Sequence, residues 1–262
     1  VLLLRLHELY SSGSRDASRW LEEFRDAATW DEAVGLWQGL AAQGGGCEPS
    51  LRFFLAQLLA AKVLLAAKVS SSPAAPAAPT AWLLPLAAAE LETSGDAAAR
   101  HLGTAAAAAS LQLPELLAAS LRSWVEVVAG HGTGSHGAVQ LLRLTAEEAL
   151  RATGSWKRGR ARREDSADWA TALLSAAPAV ASSLTSVALR SSGSPADCSS
   201  RLEVWHALEA WLGLLVAMQD SSAAEQVLAA LLAASPLLAA LAAAAPEDSC
   251  AAAVLVALAE LA

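Results

Sequence analysis

Isoleucine and asparagine are absent from this 262-residue chain, which holds only one Met, one Tyr, three Phe and three Lys. The missing and rare types include those written by AT-rich codons, so the bias reads as a GC-rich genome before it reads as function. Strand-favouring residues are scarce, with 15 Val, no Ile and 5% aromatics, which argues against a β-sandwich, a barrel or a doubly wound sheet. The three Cys, at 47, 198 and 250, have no partner at C-x-x-C spacing. A disulfide framework is therefore not expected, and a reducing intracellular compartment is. Charge is thin and lopsided, 18 basic against 26 acidic residues for a net −8, which disfavours nucleic acid and suits a basic protein partner. The many Ser show no nucleophile elbow, and no catalytic constellation, cofactor site or metal-ligand spacing is found, so the chain reads as non-enzymatic.

What is present is alanine and leucine, 65 and 46 residues, or 111 of 262 positions, the strongest helix formers available. One run, Val227 to Ala245, has 19 residues without a charge and reaches membrane-spanning length. It is mostly Ala and broken by Ser235-Pro236, so it reads as packed helix in a soluble protein with no membrane insertion. The chain opens on the apolar run VLLLRL and its only Met is Met218. On that ground it is expected to be a piece of a longer protein.

Punctuation divides the sequence into about twelve helix-sized blocks. The first runs to Tyr10 and the turn SSGS, where Ser14 and Asp16 are candidate N-caps for a helix carrying Trp20, Leu21 and Phe24 at helical spacing. Trp30–Leu40 follows, then an amphipathic helix over 51–69 with Leu51, Phe54, Leu55, Leu58, Leu59, Lys62 and Val63 in series. Later blocks cover 81–92, 96–112, 114–129, 138–152, 166–190, 200–218, 222–243 and 248–262. Flexible loops are expected near 70–80, 130–137 and 153–164. Pairs of helices start near 1, 30, 81, 114, 166 and 222, an irregular period of about 40 residues. That is the pattern of an all-α, right-handed α-solenoid of about six HEAT-like helical hairpins over 1–262.

Three motifs invite a sharper reading. GTGSHG (132–137) is formally G-x-G-x-x-G, but a dinucleotide site needs a surrounding parallel sheet, and an interhelical loop is the simpler reading. His131 and His136 share that loop without further ligands nearby. Lys157, Arg158, Arg160, Arg162 and Arg163 form a basic loop, either solvated or set to touch an acidic partner, with Glu164 and Asp165 behind it at the next helix start. The nine Trp suit bulky anchors at helix interfaces, above all Trp20, Trp30, Trp37, Trp124, Trp169, Trp205 and Trp211.

Five segments in order carry a family resemblance. They are ELYSSGSRDASRWLEEFRDAATWDEAVGLW (8–37) with its Trp20 and Trp30, LRFFLAQLLAAKV (51–63) with Phe53, Phe54 and Gln57, LLRLTAEEAL (141–150) with Glu147 and Glu148, GRARREDSADW (159–169) and VWHALEAWLGLL (204–215). Together they resemble the N-terminal region of importin-β superfamily transport receptors, most closely the transportin-SR and importin 13 branch. Thr145-Ala146 stands where that family usually has Leu-Pro, and Ala replaces many larger core residues. The resemblance implies a nuclear transport receptor shuttling between nucleus and cytoplasm. Its partners would be the small GTPase Ran in its GTP form, protein cargo and nuclear pore proteins. The implied contact face is the second helix of each hairpin, 14–26, 48–69 and 96–112, with Arg52, Gln57 and Lys62 as polar contacts for Ran. The alternatives are a non-transport helical scaffold or adaptor and, on GTGSHG alone, a nucleotide-dependent enzyme.

Overall fold

The structure is a computed structural model and describes residues 1–42, 48–69, 77–130, 135–157, 167–191, 198–218, 221–233 and 249–261. These form twelve α-helices, and no strand occurs among the described residues. The helices are α1 Leu2–Ser12, α2 Arg15–Ala27, α3 Trp30–Ala42, α4 Pro49–Val69, α5 Ala77–Thr93 and α6 Ala97–Ser110. They continue as α7 Pro114–Gly130, α8 Ser135–Lys157, α9 Ala167–Ser191, α10 Cys198–Met218, α11 Ser221–Ala233 and α12 Ser249–Leu261.

Local chemistry explains the boundaries. α1 stops at Gly13, whose φ of 62° is cheap only without a Cβ, and the Gly13 N–H donates to the Leu9 carbonyl at 2.9 Å. Ser14 caps α2 through a hydrogen bond from the Ala17 N–H at 3.3 Å. α3 opens with a reciprocal capping box. The Thr29 N–H donates to the Glu32 carboxylate at 2.7 Å and the Glu32 N–H to Thr29 Oγ1 at 3.3 Å. The Thr29 N–H and then the Thr29 hydroxyl, both donating to it, hold the Glu32 carboxyl below its ordinary pKa. Asp96 caps α6, accepting from the Ala99 N–H at 2.8 Å.

Three loop expectations change. The loop placed over 70–80 gives way to helix at Ala77, because Pro79 falls in the first turn, where a missing N–H removes no helical bond. The loop near 130–137 gives way to α8 at Ser135, where the Gly137 N–H is held by Glu92 of α5. Residues 153–157 continue α8, with Thr153 buried and its hydroxyl bonded to the Leu150 carbonyl at 2.8 Å. α4 also departs from a one-sided amphipathic helix. Leu55, Ala56, Leu58, Leu59, Ala60 and Val63 are all buried, because α3, α5 and α6 surround it. The interruption at Ser235-Pro236 lies outside the described residues.

Consecutive helices pair: α1 packs on α2, α3 on α4, α5 on α6, α7 on α8, α9 on α10 and α11 on α12. Between pairs, the second helices α4, α6, α8, α10 and α12 pack on one another in chain order, and the first helices α7, α9 and α11 do the same. α6 is enclosed by α4, α5 and α8. Its run Ala105–Ala109 and Gly103 let those neighbours close in, and a Cβ on Gly103 would sit 2.7 Å from Leu144 Cδ1. Bulk comes from leucine and tryptophan. Trp37, Trp124, Trp169, Trp205 and Trp211 are buried, while Trp20 and Trp30 pack partly buried against the core, as interface anchors should. Trp30 also meets Trp82 edge-on at 5.5 Å, tying α3 to α5. Stretches of α4 and α9, Pro49–Ala67 and Asp168–Leu189, are long and apolar enough to cross a membrane, yet both contribute side chains to the shared core.

Glycine positions separate spacing from propensity. Gly137→Ala places a Cβ inside contact distance of the Ala88 carbonyl oxygen, whereas Gly35→Ala in α3 meets nothing within 4 Å. Urea denaturation should show Gly137→Ala destabilising by ~1–3 kcal/mol, overriding the roughly 1 kcal/mol that alanine gains in a helix. Gly35→Ala should instead stabilise by about 0.5–1 kcal/mol.

Candidate functional site

Arg52 projects from α4 into the gap between the third and fifth helices, where its guanidinium meets three partners. It pairs with Glu90 of α5, reaches Asp96 Oδ2 at 3.1 Å and donates to Ser94 Oγ at 3.0 Å. Asp96 thereby joins two tasks, capping α6 with one oxygen and holding α4 with the other. The arginine borders an open cavity of about 360 Å³ lined also by Trp37, Leu40 and Thr93. Ten residues on, the Lys62 ammonium donates to the Asp26 carbonyl at 3.1 Å, a cation placed at the C-terminal end of α2. Gln57 lies between them in sequence and is half-buried. Two of the three expected contact residues thus serve first as ties from α4 to neighbouring helices.

The same arrangement recurs further along the row of second helices. Arg143 of α8 bonds Glu147 at 2.7 Å on its own helix and Glu203 of α10 at 2.9 Å. Burial opposes its charge, but the bonds and charges of the two glutamates outweigh that and raise the guanidinium pKa. Glu147 also lies 4.0 Å from Arg151, which pairs with Glu148. Burial pushes the Glu148 carboxyl up, against the pull of Arg151. The buried Trp211 indole N–H donates to the Leu142 carbonyl at 3.0 Å, a second link between α10 and α8. On α6, His101 stands 5.8 Å from the Phe53 ring, and burial lowers its imidazole pKa.

The glycine motif becomes a packing device. α7 precedes it as helix instead of strand, and Gly132, Thr133 and Gly134 lie outside the described residues. Its third glycine, Gly137, is buried where α8 approaches the Ala88 backbone. A phosphate at this helix start would need free N–H groups, but the Gly137 N–H already donates to Glu92 Oε2 at 2.7 Å. At Gly137 the protein's own Glu92 carboxylate takes the place an anion would occupy. His136 shares a 2.7 Å hydrogen bond with Gln140 and His131 lies outside the described residues. Among the described residues no three His, Cys, Asp or Glu side chains converge as a metal-holding group. Of the basic loop, Lys157 ends α8, while Arg158, Arg160, Arg162 and Arg163 lie outside the described residues.

Sequence reasoning missed Arg143, Glu203, Glu92 and Asp96. The i,i+4 spacing of Arg143 and Glu147 was a readable signal. The partnership of Arg143 with Glu203, sixty positions away, had none. These inter-helix arginines should matter more than ones paired within their own helix. Arg143→Ala should cost ~1–3 kcal/mol in urea denaturation, because it leaves Glu203 partly buried without its cation. Arg5→Ala, which breaks only an i,i+3 pair with Glu8 on its own helix, should cost less than about 0.5 kcal/mol.

No family model, no curated protein and no solved structure matches this chain.

Proposed function

We propose that this chain is a non-enzymatic helical-repeat binding scaffold, built as a right-handed α-solenoid of HEAT-like hairpins. The supporting observation is the packing order: each second helix rests on the next second helix along the chain, from α4 through α12. Repeats that touch only neighbours make an extended surface that can flex and hold a protein partner. Within that class we propose the Ran·GTP-binding repeats of a nuclear transport receptor that shuttles between nucleus and cytoplasm. The five ordered segments of the sequence support this narrower reading. In it, Ran·GTP lies on the second helices near Gln57 and Lys62 and changes the curvature of the stack, releasing cargo. Arg52 then serves mainly to hold α4 against α5 and α6.

A second reading, a scaffold or adaptor unconnected with transport, is favoured by one specific observation. Arg52, a residue expected to face Ran, is committed to Glu90, Asp96 and Ser94 of its own chain. Two measurements separate these readings. Small-angle X-ray scattering should give a radius of gyration above the ~18 Å of a compact domain of this length, and a value at ~18 Å refutes the solenoid. A pull-down should retain Ran·GTP and not Ran·GDP, with Lys62→Glu lowering the retained amount several-fold. Equal retention of both nucleotide forms refutes the transport reading and leaves the scaffold.

A further inference from the structure

The row of first helices is interrupted at one place. α7, α9 and α11 pack in order, but α5 and α7 touch only lightly, and both rest on α8. The gap between them leaves a cavity of about 350 Å³. Its walls are Leu84 and Pro85 of α5 and Leu116, Trp124 and Val127 of α7, completed by Ala138 of α8. Leu84 and Trp124 are buried, while Pro85 is exposed at the rim. Among the described residues no charged side chain lines this cavity.

Two polar groups in this apolar lining lack the partner their position would ordinarily supply. Pro85 lies inside α5 and has no N–H, so the Ala81 carbonyl loses its i+4 donor. Ala81 and Pro85 stand one turn apart and both line the cavity, which puts that carbonyl on the cavity side of the helix. On the facing helix, Ser120 lines the cavity while being only 9% exposed. Several other buried hydroxyls, those of Ser110, Thr145 and Thr153, turn back onto carbonyls of their own helices. The Ser120 hydroxyl has no hydrogen-bond partner among the described residues. An acceptor set in apolar surface without a donor costs free energy, which a ligand's N–H or O–H recovers.

We propose that this cavity binds a small, flat, uncharged ring molecule that carries an N–H or O–H donor, of the indole or phenol type. Its apolar body covers Leu84, Leu116 and Trp124, and its donor reaches the Ala81 carbonyl or the Ser120 oxygen. The volume falls at the lower end of the range for small-molecule sites, which also form between packed helices. The proposal does not rest on the transport reading, since this cavity lies on the first helices α5 and α7 and the proposed Ran contacts lie on α4.

The test titrates the full 262-residue chain with indole and with benzothiophene, a ring of the same shape without the N–H, read by ligand-observed NMR. Indole should bind. Pro85→Ala gives the Ala81 carbonyl a donor within the helix, and Ser120→Ala removes the hydroxyl. Each should weaken indole about fivefold and leave benzothiophene within about twofold of the parent. Ser120→Leu fills the cavity and should weaken both probes about tenfold. Pro79→Ala changes the other proline of α5, which does not line the cavity, and should alter neither probe. Circular dichroism should show every variant as helical as the parent. Four results overturn the proposal: no binding of indole, equal losses of both probes in Pro85→Ala and Ser120→Ala, Ser120→Leu binding like the parent, or Pro79→Ala acting like Pro85→Ala. A short alanine-based peptide with one tryptophan that binds more tightly than indole, with the same dependence on Pro85 and Ser120, would assign the cavity to a partner's side chain and overturn it too.

Discussion

The distance at which helices can approach one another governs this structure. Alanine and glycine on α6 allow α4, α5 and α8 to close around it, and Gly137 allows α8 to start against the backbone of α5. Small residues contribute little transfer free energy themselves. A buried leucine supplies about 1.5–3 kcal/mol, and the tryptophans supply more area each. The core therefore works by division of labour. Alanine sets the spacing, while leucine and five buried tryptophans fill what the spacing leaves. An interior at crystal-like density tolerates neither a void nor an overlap, so each small residue fixes the size of its neighbours.

Polar ties follow the same route through the molecule. Lys62 holds the end of α2, Arg52 holds α5 and the cap of α6, Glu92 holds the start of α8, and Arg143 holds α10. Each joins elements of different hairpins, and most are half-buried. Half-burial strengthens a charge pair relative to one in water while keeping the desolvation cost below that of a fully buried pair. An Ala-rich helix surface offers few shape features to specify which neighbour it meets. These ties supply orientation where alanine cannot.

How much was legible beforehand follows from the range of each signal. Ser14, the Thr29–Glu32 capping box and the glycine at residue 13 act over three or four positions, so they can be read along the chain. The tryptophans were legible as anchors because few roles suit so large an apolar ring in a helical chain. The loop ends near 77 and 135 were misjudged, since Pro79 and Gly137 are loop formers by propensity: Pro79 is tolerated in the first turn of α5, and a contact from Glu92, forty-five positions away, holds Gly137. The candidate contact residues fared differently. Arg52 and Lys62 were conspicuous as charges on an apolar helix, but nothing local shows that Glu90, Asp96 and the Asp26 carbonyl stand within their reach.

By itself the sequence determined that the chain is all-helical and roughly where the helices break. Those properties depend on backbone propensity and on caps, which are local. Tertiary structure alone decided which helices are enclosed and which charges are already satisfied within the chain. Those outcomes depend on contacts between residues tens of positions apart. In a chain built so largely of alanine, many helix faces look alike until the fold sets one against another.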